Sequence, residues 1–504
     1  MQKPTSGPEI FFGLVGAVGC QLDGIVDHLK SHLIPLGYEL HEIKVIELLQ
    51  KIPEYGEIFE IPDKGKAYEA KMSLGNDFRK KLGSGYALAL LSIIQIRRLR
   101  DEYNSKRNLP ENQPIPFRAY VFNSLKRKEE VERFREVYGD SFHLIGAYSR
   151  VDQRETDLKL KIGNSLEDDR EVEETVQHLM RRDLRESDQP WGQNVYDTYP
   201  ESDIFVDVTA PKRAEGPIRK YIELLFGHQF HTPTREEYGM YNAFGASLRS
   251  ADLARQVGAY IATIDGQVLA MGTNDVPSPK GGLYWSDDEH DKRDFHRTED
   301  ESNVMRRKLF ANIVRILKDR GFITPDTGKR LLEHDVLEAL KDGRLTWVTE
   351  YGRSVHAEMA AITDAARRGI SIDKSVLYTS TFPCHNCAKH IVASGIRRVV
   401  YVHPYPKSQV AEMYNDSITI DLPDPENGKV LFKSFVGIAP RRYDALYTMK
   451  RKRKTDEGKV LNWGDTPETV AIRMEYSPML YLKNEKLAVE EFEELQTPAP
   501  GHPC

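Results

Sequence analysis

Apolar and polar positions along this chain follow two periods, and the switches between them mark its elements. Near the N-terminus, EIFFGLVGAVGCQLDGIVDHLKSHL reads as a wholly apolar strand, a glycine loop through Gly13, Gly16 and Gly19, and an amphipathic helix. The alternation continues with YELHEIKVIEL as a strand, roughly 76–103 as one long helix, FRAYVFN as a strand, KRKEEVERFREVYG as a helix and SFHLIGAYS as a strand. A charged helical stretch, 167–186, and the strand SDIFVDVTAP follow. Strands separated by helices predict an α/β fold with a doubly wound, mostly parallel sheet. The helix GPIRKYIELLFG and the polar HTPTREE then close a first domain over 1–231.

A second domain is expected over 232–496. NAFGASLRSADLARQVGAYIATIDGQVLAMGTNDVP reads as helix, strand, Asp265-Gly266 turn, strand and loop. Residues 277–350 form a long charged insertion in which His290 and His296 lie among carboxylates. A solvated insertion explains them better than a second metal, because no ligand spacing repeats. HAEMAAITDAARRG has helical apolar spacing and ends on Gly369, SVLYTST is a buried strand, and CHNCAKHIVASG is a helix opened by Pro383. The tail 497–504, TPAPGHPC, is expected to be disordered.

Composition narrows the class. The chain has 504 residues, 40% hydrophobic and 29% charged, with a net charge of −6. No global positive field draws it to nucleic acid or membrane. No apolar run approaches the ~18 residues of a membrane span, and four cysteines make no disulfide framework, so a cytoplasmic protein is expected.

The candidate chemistry lies in His356-Ala-Glu358, 24 residues, then Pro383-Cys384-His-Asn-Cys387. This is the H-x-E…P-C-x-x-C pattern of zinc nucleobase deaminases. One imidazole and two thiolates fill three positions of a tetrahedral zinc and leave the fourth for water, the catalytic rather than structural arrangement. One Zn2+ per chain is expected on His356, Cys384 and Cys387, with Glu358 as the catalytic proton shuttle. A closed structural site would need a fourth ligand from His385 or His390. At the N-terminus, Gly16, Gly19 and Cys20 outline a candidate nucleotide loop. Aligned with GxxxxGK[ST], however, the chain carries Gln21, Leu22 and Asp23 where glycine, lysine and the hydroxyl belong, so no phosphoryl transfer is expected. Arg181, Arg182 and Asp183 cluster where the nucleotide kinases that this stretch resembles carry a lid, and a solvated helix face explains them slightly better than a phosphate clamp.

The run with Ser250, Asp252, Gln256-Val-Gly-Ala259 and Asn274 resembles deoxycytidylate deaminases. With the degenerate loop domain, roughly residues 9–450 resemble the bacterial anti-phage dCTP deaminases. That resemblance implies an N-terminal P-loop kinase-like domain and a C-terminal cytidine-deaminase-like α/β/α zinc domain. It implies conversion of dCTP and dCMP to deoxyuridine nucleotides and ammonia, starving a replicating phage. In some relatives a small RNA is inhibitory; a homo-oligomer is expected, and the N–H groups of the glycine loop suit a regulatory nucleotide at the N-terminal domain. By the same resemblance Asn274 contacts the sugar hydroxyl, Tyr405 stacks on the base and Lys407 meets phosphate. Two rivals are a polynucleotide cytosine deaminase, which needs a basic aromatic groove, and a nucleotide-sensing module with a structural zinc.

Overall fold

The fold is that of a computed structural model describing residues 7–163, 169–186, 189–333, 351–405, 408–422, 428–465, 469–473 and 477–496. The described residues of 1–237 and 436–504 form one compact unit, and those of 238–435 a second.

In the first unit, strands β1 (Ile10–Gly16), β2 (Glu39–Lys44), β3 (Arg118–Asn123), β4 (Phe142–Tyr148) and β5 (Ile204–Asp207) form a parallel sheet in the order β2-β3-β1-β4-β5. All seven residues of β1 are buried, as a central parallel strand covered on both faces must be. Strand alternation sends Ile10, Phe12 and Leu14 to one face, in a core with Ile25, Leu29 and Ile222. Phe11 and Val15 go to the other, where Phe11 stacks on Tyr138 at 3.7 Å and Phe122 on Phe134 at 4.0 Å. The expected single helix over 76–103 is instead two, Lys64–Leu82 and Ala87–Ser105. Gly83 turns the chain with φ of +61°, a left-handed value that glycine adopts without strain.

The second unit has strands β6 (Gly258–Ala262), β7 (Val268–Thr273), β8 (Val376–Thr381), β9 (Arg398–His403), β10 (Ile418–Ile420) and β11 (Val430–Ser434), in the order β10-β11-β9-β8-β6-β7. β6 is antiparallel to β7 and β8, while β8, β9, β11 and β10 run parallel. Ala259, Ile261, Leu377 and Val399 pack on one face with Ala357, Ala361 and Cys387. A missing side chain sets how near the helix Ala357–Arg368 comes to β7. A Cβ on Gly272 would lie 2.2 Å from the Ala357 carbonyl oxygen. On the opposite face, a Cβ on Gly258 would stand 1.9 Å from the Ala243 oxygen.

The chain then returns to the first unit. A two-residue strand β12 (Gly437–Ile438) pairs antiparallel with β5, and the helix Pro478–Gln496 packs on helix Ala87–Ser105. The sequence reading carried the second domain through residue 496; the structure groups 436–496 with the first unit. The reason is a fully buried ion cluster. Arg100 donates bidentately to Glu485 at 2.5 and 2.9 Å and to Glu9 at 2.8 Å, and Tyr481 donates to Glu9 at 2.8 Å. Arg441 and Arg442 likewise serve this unit, reaching Glu201 at 2.9 Å and Asp203 at 3.2 Å. Among the described residues no helix is long and apolar enough to cross a membrane.

Candidate active site

The site forms where two helix N-termini meet. Cys384 is the residue before the helix His385–Ala393, and Cys387 lies in its first turn. His356 is the residue before the helix Ala357–Arg368, and Glu358 lies in that helix's first turn. An isolated antiparallel bridge, Asp275↔Val355, delivers the chain to His356 from the end of β7, with Val355 N–H donating to Asp275 O at 2.9 Å. His356 Nδ1 lies 3.3 Å from Cys384 Sγ and 3.4 Å from Cys387 Sγ. Tetrahedral zinc with bonds of about 2.0–2.3 Å needs donors roughly 3.5 Å apart, so the three groups fit such an ion. The helix termini favour thiolates there.

Glu358 is buried, and its Oε2 accepts from Cys387 Sγ at 3.5 Å. The electrostatics follow from packing charge in a dry place. The hydrogen bond from Cys387, with help from His356, draws the Cys384 thiol down to about 4 against its burial. The hydrogen bond with Cys384 lifts His356 to about 9. Burial, then the Cys384 charge, raises the Glu358 carboxyl above the ordinary carboxylate range. Asp252, from the 250–257 loop, adds its charge at His356.

The other expected site residues fall in different places. Asn274 is buried one residue before the bridge to Val355. Its Oδ1 accepts from Val257 N–H at 2.7 Å and its Nδ2 donates to the Arg255 carbonyl at 2.7 Å, so it clamps the 250–257 loop to the end of β7. Tyr405 is half-buried against the core that contains Cys384 and Cys387. Its carbonyl accepts from Ser408 N–H at 3.0 Å, and the Ser408 hydroxyl donates to Pro383 O at 2.9 Å, tying Ser408 to the cysteine loop. Lys407, residues 334–350 and the tail 497–504 lie outside the described residues. His296 pairs with Asp291 at 3.4 Å, and among the described residues neither it nor His290 joins a group able to hold a metal.

The glycine loop already holds an anion from its own chain. Val18 N–H donates at 2.7 Å to the fully buried Asp183, from the helix Asp169–Leu184. Lys126 Nζ reaches Asp183 at 2.8 Å and donates to Gly16 O at 3.0 Å. A Cβ on Gly19 would lie 2.8 Å from Arg154 O. Cys20 donates its thiol to Ala147 O, and burial raises its pKa to about 11, so it stays a thiol. The sequence marks Asp183 only as part of a charged cluster with Arg181 and Arg182 and does not single out Lys126; the structure buries Asp183 against the loop, 165 residues away from Val18, and brings Lys126 to Gly16 from 110 residues away.

Residues 233–403 match the family described as the cytidine and deoxycytidylate deaminase zinc-binding region, a stretch that includes all four residues of the site. The deoxycytidylate deaminase of Enterobacteria phage T2 is 46% identical over 55 residues, 11% of this chain and 29% of that protein. ComE operon protein 2 of Bacillus subtilis (strain 168) is 31% identical over 86 residues, 15% of this chain and 46% of that one. The chain thus spans less than half the length of either relative. Among solved structures, the apo dCMP deaminase of cyanophage S-TIM5 is 20% identical, covering 40% of this chain and 99% of that one, with a TM-score of 0.22.

Proposed function

We propose that the protein is a zinc-dependent hydrolytic deaminase of deoxycytidine nucleotides, acting on dCTP as well as dCMP and releasing deoxyuridine nucleotide and ammonia. The observation that carries this reading is the convergence of His356 Nδ1, Cys384 Sγ and Cys387 Sγ beside a buried carboxylate, Glu358. Zinc held by the three ligands supplies a Lewis acid that makes water a nucleophile at neutral pH. Glu358 takes a proton from the attacking water, delivers it to the cytosine ring nitrogen, and then protonates the departing amine. Asn274, fixed at both ends of its amide, keeps the 250–257 loop beside the bridge into His356 and directs its remaining hydrogen-bonding capacity to the sugar hydroxyl. Tyr405 stacks on the base and Lys407 meets phosphate.

The first unit is read as a P-loop kinase-like domain that transfers no phosphoryl group. It lacks a lysine at position 22, and its loop is filled by Asp183. Depletion of dCTP against phage, a cytoplasmic homo-oligomer, and control by a nucleotide or a small RNA belong to the same reading. Purified protein and its Cys387→Ala variant should be compared for ammonia release from dCTP, dCMP and single-stranded DNA. Turnover of the free nucleotides, lost in the variant together with the zinc of the His356, Cys384 and Cys387 site, is expected, because two protein ligands rarely hold the ion. Turnover of single-stranded DNA alone would transfer the protein to the polynucleotide deaminases. A variant with full zinc and full turnover would remove Cys387 from the ligand set.

A further inference from the structure

A second group of metal-ligating side chains lies in the first unit, and the deaminase reading does not use it. The helix Glu215–Leu225 ends at a glycine turn. Gly227 has φ of +86° and donates to Leu224 O at 3.0 Å, while His228 N–H donates to Glu223 O at 2.8 Å. These two bonds make a Schellman-type reversal, which swings the following residues back over the last helical turn. His228 and His231 are thereby brought to Glu223. One ligand atom from each of the three lies within 4.8 Å of the others, and among the described residues only His356, Cys384 and Cys387 form another such group.

The three groups are held before any ion arrives. His231 Nε2 contacts Glu223 Oε2, and the two imidazoles stack at 3.9 Å with planes 26° apart. Phe230 N–H donates to His228 Nδ1 at 3.2 Å, which fixes the ring, and an ion that binds this imidazole displaces that bond. Trp463 packs against His228 at 5.2 Å and is anchored by its own N–H to Phe226 O at 3.0 Å. All three side chains are half-buried, so an ion has a path in.

We propose that Glu223, His228 and His231 form a second metal site, for a divalent first-row transition ion of the zinc class. Two imidazoles and one carboxylate are a donor set suited to such ions, with room for water in the open position, whereas calcium and magnesium prefer oxygen ligands alone. Arg219 and Arg473 lie within electrostatic range of the group and oppose a cation. The ion is therefore held less tightly than one on the thiolates of Cys384 and Cys387, and a chelator removes it first. Trp463 packs against His228, so metal occupancy also steadies that contact at the helix end.

The test counts metal on the full chain. After equilibration with zinc and removal of free ion, elemental analysis should find two ions per chain in the wild type. Glu223→Gln, which keeps an acceptor for His231, and His231→Ala should each hold one, with unchanged circular dichroism and unchanged deamination. Cys387→Ala should keep the ion at Glu223, His228 and His231. Cobalt substitution adds a second readout: the site with thiolates gives sulfur-to-metal bands, and the second equivalent of cobalt gives only weak visible bands. A single ion per wild-type chain, or two ions in both Glu223→Gln and His231→Ala, would overturn the proposal.

Discussion

At the scale of single residues, the chemistry rests on what burial does to a few side chains. Glu358 differs from glutamine by the ability to exchange a proton, and its helix position keeps it beside Cys387. Glu358→Gln should therefore keep its zinc and its melting temperature while deamination falls by at least about 10²–10⁴-fold. A variant that still releases ammonia at about a tenth of the normal rate would mean that another group moves the proton. A second residue-scale effect concerns pH. His143 is buried in the first unit with its Nδ1 at 2.8 Å from the Tyr221 hydroxyl, and burial lowers its pKa well below the ordinary value. The folded form thus binds this proton less readily than the unfolded chain. Its contribution is fully present above about pH 6.5 and is lost as pH falls toward the depressed folded value, at about 1.4 kcal/mol per pH unit. Denaturant melts of the wild type and His143→Phe between pH 5 and 7.5 should show a shallower acid slope in the variant; equal slopes would refute the assignment.

At the scale of elements, the site depends on how closely one helix lies on one strand. The helix Ala357–Arg368 carries Glu358 and is preceded by His356, and only a glycine at 272 lets its backbone approach β7 so nearly. Gly272→Ala puts a methyl group 2.2 Å from the Ala357 oxygen, and backbone, not a flexible side chain, must give way. Overpacking of this kind costs about 1–3 kcal/mol. The displaced helix also moves His356 away from the two cysteines, so zinc content and turnover should fall together with the melting temperature. A Gly272→Ala protein with wild-type melting and turnover would show that the close approach does not position the ligands. The glycine loop makes the converse point. The Val18 N–H of that loop is satisfied by Asp183, whose carboxylate also meets Lys126.

At the scale of the whole molecule, the chain leaves its first unit after residue 237, builds a second, and comes back at residue 436. The return is fixed by charge as much as by apolar packing. Arg100, Glu9 and Glu485 are each fully buried, and a lone buried charge is far costlier than a paired one. Glu485→Ala leaves Arg100 with Glu9 as its charged partner and Asn112 as a neutral one, and should destabilise the first unit by about 3 kcal/mol. Replacing Arg100, Glu9 and Glu485 together by apolar residues should restore much of that loss. Unfolding curves for the two variants provide the check, and a neutral Glu485→Ala would show that the C-terminal helix is held by its apolar face alone.

The sequence by itself determined what depends on near neighbours. The Asp265-Gly266 turn, the cap at Gly369, and the H-x-E and P-C-x-x-C groups are local patterns, and the elements they predict are there, although the second helix is capped by Cys384 and Pro383 stands just before it. Where local pattern was insufficient, it misled: Gly83 split a helix whose apolar spacing read as continuous. Only the tertiary structure decided which distant segments share a sheet and which charges share a cavity. Nothing in the spacing joins Glu485 to Arg100 across 385 residues, or Asp183 to Val18 across 165. It also drew Asn274 into a backbone clamp and folded His228 and His231 back onto Glu223. Periodicity specifies which face of an element is buried, but a buried ion or polar group takes whatever partner the finished packing brings within hydrogen-bonding reach.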